Sequence, residues 1–233
     1  MGSDERRSPG RSRFGKGGLF LAAILAVASL ATFYGSREET PGAGGTAPPV
    51  TLSPRQEIAL GLQAAPEMAR RYGGLHQSQR DQEKVDEVCS ALVTRTEAAK
   101  TPYEFECHVL AEEQTAAAFA LPGGQVFLTS GLLKRLATEE ELAGVLGRQI
   151  AHVMARHGVE HLASVPLGED RTGAEVLAAY DPDLPSSRNS PAVAALIERM
   201  GDLRFNPEEE REAGRLGSQL VAEAGYGPAR VTR

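Results

Sequence analysis

Along the chain, the first departure from mixed polarity is a block without charge. No residue from Gly17 to Ser36 carries one, and Leu19–Tyr34 ("LFLAAILAVASLATFY") is apolar apart from Ser29 and Thr32. About 20 such residues span a bilayer as a helix. The pattern then changes to "TPGAGGTAPPV" (Thr40–Val50), a Gly/Pro/Thr-rich stretch that reads as a flexible spacer. Beyond it the periodicity becomes that of a folded domain. Ser53-Pro54 supplies an N-cap and a first-turn proline, predicting a helix to Tyr72 that stops at Gly73-Gly74. A second helix is predicted over Gln79–Ala99, with Val85, Val88, Cys89 and Leu92 on one stripe. In "YEFECHVL", alternation of Tyr103, Phe105, Cys107 and Val109 predicts a half-buried strand.

A Pro-Gly-Gly turn follows, then a short strand at Gln125–Thr129 and a helix from about Gly131. Thr138 and Glu141 form a capping box for the next helix, whose apolar positions are Leu142, Val145, Leu146, Ile150, Val153 and Met154. His157-Gly158 is its expected end. Further helices are predicted over Ala192–Met200 and from Asn206-Pro207 to just before Gly225. The expected fold is therefore α+β, mainly helical with a small sheet, preceded by one transmembrane helix. It divides into a basic cytoplasmic tail (1–16), an anchor (17–36), a linker (37–52) and a folded domain (53–233).

Charge adds direction. The formal net charge is −6, but residues 1–16 carry five basic and two acidic side chains, 5 − 2 = +3, leaving −9 for the rest. A basic tail before the apolar block puts the N-terminus in the cytoplasm and the body outside it, in the periplasm or another extracytoplasmic space. A cleaved signal peptide is the rival reading, because Ala26-Val27-Ala28 resembles a small-x-small site. The acidic body offers no electrostatic reason to bind nucleic acid. The two cysteines, Cys89 and Cys107, both fall on apolar faces. Outside the cytoplasm they form either a disulfide or two separately buried thiols.

The candidate chemistry lies in Glu140–Gly158, "EELAGVLGRQIAHVMARHG". A hydrolytic zinc site needs three protein ligands and an open position for water. On a helix two histidines four apart share a face, and a glutamate between them serves as general base. Here His152 stands alone. Arg148, four residues earlier, has no lone pair to give a metal, and Gln149 cannot take a proton from water. The segment "HGVEH" also spells His157-x-x-Glu160-His161, formally an inverted zinc motif, on residues that follow the expected helix end.

The block "AAFALPGGQVFLTSGLLKRLATEEELAGVLGRQIAHVMARHGVEHLA" (Ala117–Ala163) resembles metallopeptidase family 48, the HtpX-like and prenyl-protease-like gluzincins. The family pattern is N-A-F-A-L-P-G-G, a strand, G-L-L, then an E-L-A-G-V-L-x-H-E-x-x-H-x-x-x-R-H helix. The likeness reaches back to "SPRQEIALGLQAAPEM" and forward to "EEEREAGRLGSQLVAEAGYGP". It implies a gluzincin-type domain with zinc as the family's cofactor. It aligns position 148 with the first zinc ligand, Gln149 with the catalytic Glu and His152 with the second ligand. Glu210 matches the third, in a pattern E-x-x-x-D whose Asp is replaced by Gly214. In the family that Asp orients the first His through a hydrogen bond. Ala117 stands where relatives have Asn, and Pro207 where they commonly have Arg.

Three chemically linked positions are thus lost while the surrounding pattern is kept. The expectation is a bidentate pair between Arg148 and Glu210 in place of the metal, in an inner pocket. The resemblance further implies that Gln125, Val126, Phe127, Leu128 and Thr129 form a strand whose exposed edge pairs with extended polypeptides. An ordinary edge strand is the other reading. The sequence therefore predicts a membrane-anchored metallopeptidase-like protein of envelope quality control, a catalytically inactive pseudopeptidase that binds polypeptides or regulates an active relative, with zinc absent or weakly bound. Its partners would be polypeptide substrates or an active paralogous protease. The rival is an active zinc endopeptidase with an atypical ligand set.

Overall fold

The computed structural model describes residues 52–168 and 171–227. The predicted tail, anchor and most of the linker lie outside the described residues. No helix among the described residues is long and apolar enough to cross a membrane.

Helix α1 (Pro54–Arg71) begins as its sequence requires. The Ser53 hydroxyl accepts from the Gln56 N–H, and the Gln56 side chain accepts from the Ser53 N–H at 2.9 Å. Helix α2 runs Gln79–Thr94, shorter than predicted, because the chain breaks at Arg95 and continues as a separate 3-10 turn over Glu97–Lys100. Three strands follow: β1 (Glu106–Leu110), β2 (Ala118–Ala120) and β3 (Gln125–Thr129). Their order is β1-β3-β2, with β1 parallel and β2 antiparallel to β3. One turn of helix, α3 (Ser130–Leu133), leads to α4 (Glu139–Met154). Then come α5 (His157–Ser164), α6 (Gly173–Ala178), α7 (Pro185–Arg188), α8 (Pro191–Met200) and α9 (Pro207–Glu223).

The sheet divides the core in two. On one face Leu110, Leu121 and Phe127 pack with Leu60, Ala64 and Met68 of α1 and with apolar residues of α5, α6 and α8. On the other, Cys107, Val109, Val126 and Leu128 pack against α2, α4 and α9. Alternate residues of β3 thus serve opposite clusters, as the two-residue period of a strand demands. With both faces covered and both edges paired, all five residues of β3 are buried.

That placement corrects one expectation. Gln125–Thr129 is the central strand, and its backbone groups are spent on β1 and β2. The edge strand on the β2 side is Ala118–Ala120.

Two close approaches fix how the helices meet this sheet. The Pro-Gly-Gly turn before β3 lies on α1. A Cβ at Gly123, whose φ is 80°, would fall 2.3 Å from the Ile58 Cα. Helices α4 and α9 cross at Gly147 and Gly217, where a Cβ on Gly217 would come within 2.8 Å of the Arg148 backbone nitrogen.

Cys89 of α2 and Cys107 of β1 are joined in a disulfide, resolving the alternative that the sequence left open. It closes a loop with a sequence separation of 18. Constraining the unfolded chain over a loop of that size contributes about 3 kcal/mol. Replacing both cysteines by serine is therefore expected to lower the unfolding free energy by about 2–4 kcal/mol. Urea unfolding under non-reducing conditions checks this, and an unchanged midpoint would show that the bond contributes nothing.

Candidate functional site

The site is assembled from α4, α5 and the first turns of α9. The close Gly147–Gly217 crossing lays the C-terminal half of α4 along the N-terminal half of α9, which brings positions 148 and 152 to Glu210. Position 214 is near as well, since a Cβ built on Gly214 would lie 3.9 Å from an Arg148 guanidinium nitrogen. Arg148, His152, Glu210 and Gly214, four of the positions aligned through the family pattern, thus converge in space.

Helix α4 does not continue to His157 as predicted. It stops at Met154, and Arg156 takes a left-handed conformation (φ 60°, ψ 19°) that restarts the chain as α5. This reversal folds His157 back on His152. Their Nδ1 atoms are 3.0 Å apart, and His157 Nε2 is 3.2 Å from Glu212. A carboxylate only accepts, so His157 carries its proton on Nε2 and accepts at Nδ1 from His152 Nδ1–H. His152 Nε2 is then left with its lone pair. It faces Glu210 Oε1 at 3.8 Å. One more turn along α5, His161 Nε2 donates to Glu209 at 2.8 Å.

Phe205, in the loop before α9, covers this group. Its ring stacks on His152 with centroids 4.0 Å apart and approaches His161 edge-on at 5.5 Å. The His152 side chain is 3% exposed. Burial pulls its pKa from 6.5 down to about 4, helped by His157 and Arg148 and opposed by Glu209. The imidazole is therefore neutral at physiological pH.

Arg148 meets Glu210 through one contact, Nη1 to Oε2 at 3.5 Å, and both side chains are about half exposed. The expected pair forms, but it is neither bidentate nor in an inner pocket. Glu210 stands at the mouth of the site, where water solvates it, so the pair contributes at most about 1 kcal/mol.

The donor set can be tested against zinc on this geometry. Two ligands sharing a tetrahedral zinc at about 2 Å each lie about 3.3 Å apart. His152 Nε2 and Glu210 Oε1, at 3.8 Å, remain close to that spacing. The third vertex fails, because Arg148 brings a permanent cation and no lone pair. No group of three His, Cys, Asp or Glu among the described residues is placed to hold a metal ion. The residues present do not fit the family's three-ligand centre.

His157 and His161 do not form the inverted motif either, since each turns to its own glutamate on α9. His76 is half-buried against Asp81, and His108 of β1 bonds to Gln125. Reasoning from sequence missed Phe205, Glu209 and Glu212. Phe205 sits in a non-periodic loop with no signal. Glu209 was legible only as a first-turn acid of α9, and Glu212, in the second turn, carried no signal.

One ligand-bearing helix, a second helix crossing it with a glutamate in register, and a mixed sheet beside them make a zinc-metallopeptidase scaffold. Comparison with known families agrees. The sequence model of Peptidase family M48 matches residues 79–233, and the chain belongs to that family. It is 27% identical over 213 residues to the beta-barrel assembly-enhancing protease of Escherichia coli K12, covering 89% of this chain and 42% of that protein. It is 30% identical over 149 residues to the putative beta-barrel assembly-enhancing protease of Vibrio cholerae, covering 62% of this chain and 30% of that protein. With the mitochondrial metalloendopeptidase OMA1 of Schizosaccharomyces pombe it shares 33% over 126 residues, covering 54% and 35%. The chain thus spans less than half the length of these relatives.

The state of His152 predicts a pH effect. Its folded pKa lies below its unfolded value, so the unfolded chain binds the extra proton first. Stability is fully present above pH 6.5 and falls as pH drops toward 4, by on the order of 2 kcal/mol from this group. Urea midpoints at neutral pH and near pH 4.5 should differ less in a His152→Gln variant than in the natural protein. Equal differences would refute the assignment.

Proposed function

We propose that this chain is a catalytically inactive M48 peptidase-like protein that binds extended polypeptides, or regulates an active relative, in the cell envelope. The Gly17–Ser36 segment serves as its single membrane anchor, with the folded body extracytoplasmic. The observation that carries the reading is Arg148 Nη1 resting 3.5 Å from Glu210 Oε2, a fixed cation beside the surviving ligand positions. With Gln149 at the general-base position, water is left without a proton acceptor, and loss of such a base costs about a hundredfold or more in rate.

Binding rests on different atoms. Thr129 N–H donates to Ala117 O and Leu121 N–H to Gln125 O. By the alternation of an antiparallel ladder, Phe119 also turns its amide groups to β3, while those of Ala118 and Ala120 point away from it. This open edge accepts a further strand without any metal. The relatives named for beta-barrel assembly and for a mitochondrial endopeptidase support an envelope role in handling membrane-associated polypeptides.

The test is zinc content of the full chain purified in detergent, together with casein cleavage. The natural protein should carry sub-stoichiometric zinc and leave casein intact. A variant combining Arg148→His, Gln149→Glu and Gly214→Asp should bind about one zinc per chain. Stoichiometric zinc in the natural protein, with cleavage lost on His152→Ala, would establish the active endopeptidase instead.

A further inference from the structure

A cleft of about 570 Å³ opens between α1 on one side and α7 and α8 on the other. That is the size of clefts that take small organic ligands. Two hydrogen bonds between helices fix its walls. Gln63 Nε2 donates to the Arg188 carbonyl at 2.7 Å, tying α1 to the end of α7. Arg71 Nη2 donates to the Glu198 carbonyl at 3.0 Å, tying α1 to the last turn of α8. Gln63 and Arg71 are eight residues apart on α1, so the two ties stand about 12 Å apart along its axis.

The charges that line the cleft are unequally used. Glu67 forms ion pairs with both Arg70 and Arg71. The Arg188 guanidinium and the Glu198 carboxylate, one at each tie, make no hydrogen bond or ion pair among the described residues. Between the ties the walls are apolar, with Pro66 on α1 and Ala194 and Ile197 on α8. A free cation at one end, a free anion at the other and an apolar strip between them match a zwitterion of that length. An extended peptide advances about 3.3–3.6 Å per residue, so three or four residues span the distance. A guanidinium takes a carboxylate through its planar fork, and a carboxylate accepts from an ammonium group.

We infer that this cleft binds short free peptides of three or four residues by their two ends, the carboxylate on Arg188 and the α-ammonium on Glu198. The apolar strip contacts the side chains without a polar group to choose among them. Selection is therefore for length and for two uncapped ends rather than for sequence. The site is separate from the α4–α9 site and stands whether or not polypeptides pair with β2.

Alanine peptides titrated calorimetrically into the full chain in neutral detergent provide the probe. Tetra-alanine should bind at least about tenfold more tightly than its N-acetylated form, its C-terminal amide, di-alanine or hexa-alanine, since each loses one charged end contact. Arg188→Ala should weaken tetra-alanine by a similar factor and make the protein indifferent to the C-terminal amide, while leaving its response to N-acetylation. Glu198→Gln should do the converse. A structural role alone would not separate the two responses, and circular dichroism verifies that each variant is folded. Free and capped tetra-alanine binding within about threefold of each other, or no saturable binding of tetra-alanine at millimolar concentration, would overturn the inference.

Discussion

The arrangement of the site depends on one buried charge. Glu57, on the first turn of α1, is 1% exposed, and Arg156 reaches it from the joint between α4 and α5 at 2.5 Å. Tyr103 donates to its other oxygen at 2.9 Å, and Arg156 also donates to the Leu52 carbonyl. Burial raises the Glu57 pKa, with Arg156 and Tyr103 pulling the other way. Removing one partner from such a pair typically costs about 3–5 kcal/mol, since it strands a charge away from water. The pair ties the start of α1, the approach to β1 and the α4–α5 joint into one unit.

Its consequence is local geometry. A left-handed residue other than glycine costs about 1–2 kcal/mol, yet Arg156 holds φ 60° because its guanidinium is anchored in two places. That turn is what returns α5 across α4 and sets His157 against His152. The chain of hydrogen bonds from Glu212 through His157 then fixes which nitrogen of His152 faces the site. An interaction remote from Glu210 thus decides the orientation of the one remaining imidazole ligand. The ligand position is kept by the fold, whatever stands at position 148.

Much of this was legible in the residues. Capping signals at Ser53, Thr138 and Asn206 placed three helix starts, because caps are local and their chemistry is short-range. The E-x-x-x-D register put Glu210 and Gly214 opposite Arg148, and the spatial proximity of all three agrees. What failed was non-local. The two flanks of "FALPGGQVFLT" look alike as short apolar runs, and only the pairing order makes Gln125–Thr129 central and Ala118–Ala120 the edge. His157-Gly158 reads as a helix stop, but the Arg156–Glu57 pair, spanning 99 positions, turns it into a restart. The short helices α6 and α7 carry too few residues for any period to show.

The replacement of residues at the ligand positions and the survival of the scaffold have separate physical bases. Zinc hydrolysis needs three side chains with lone pairs and a fourth that takes a proton, so a few substitutions are enough to end it. The sheet, the helix crossing at two glycines and the open amides of β2 depend on backbone geometry and apolar burial, which those substitutions leave alone. Arg148 and Gly214 illustrate the difference. Both lie on solvent-accessible helix surface, where a guanidinium for an imidazole, or a hydrogen for a carboxymethyl group, alters charge without disturbing packing. Gly147 and Gly217, three residues or fewer away, sit in the helix contact itself, where even a methyl group would collide with backbone. The residues at positions 148 and 214 were therefore free to differ at the surface of a structure that could not change beneath them.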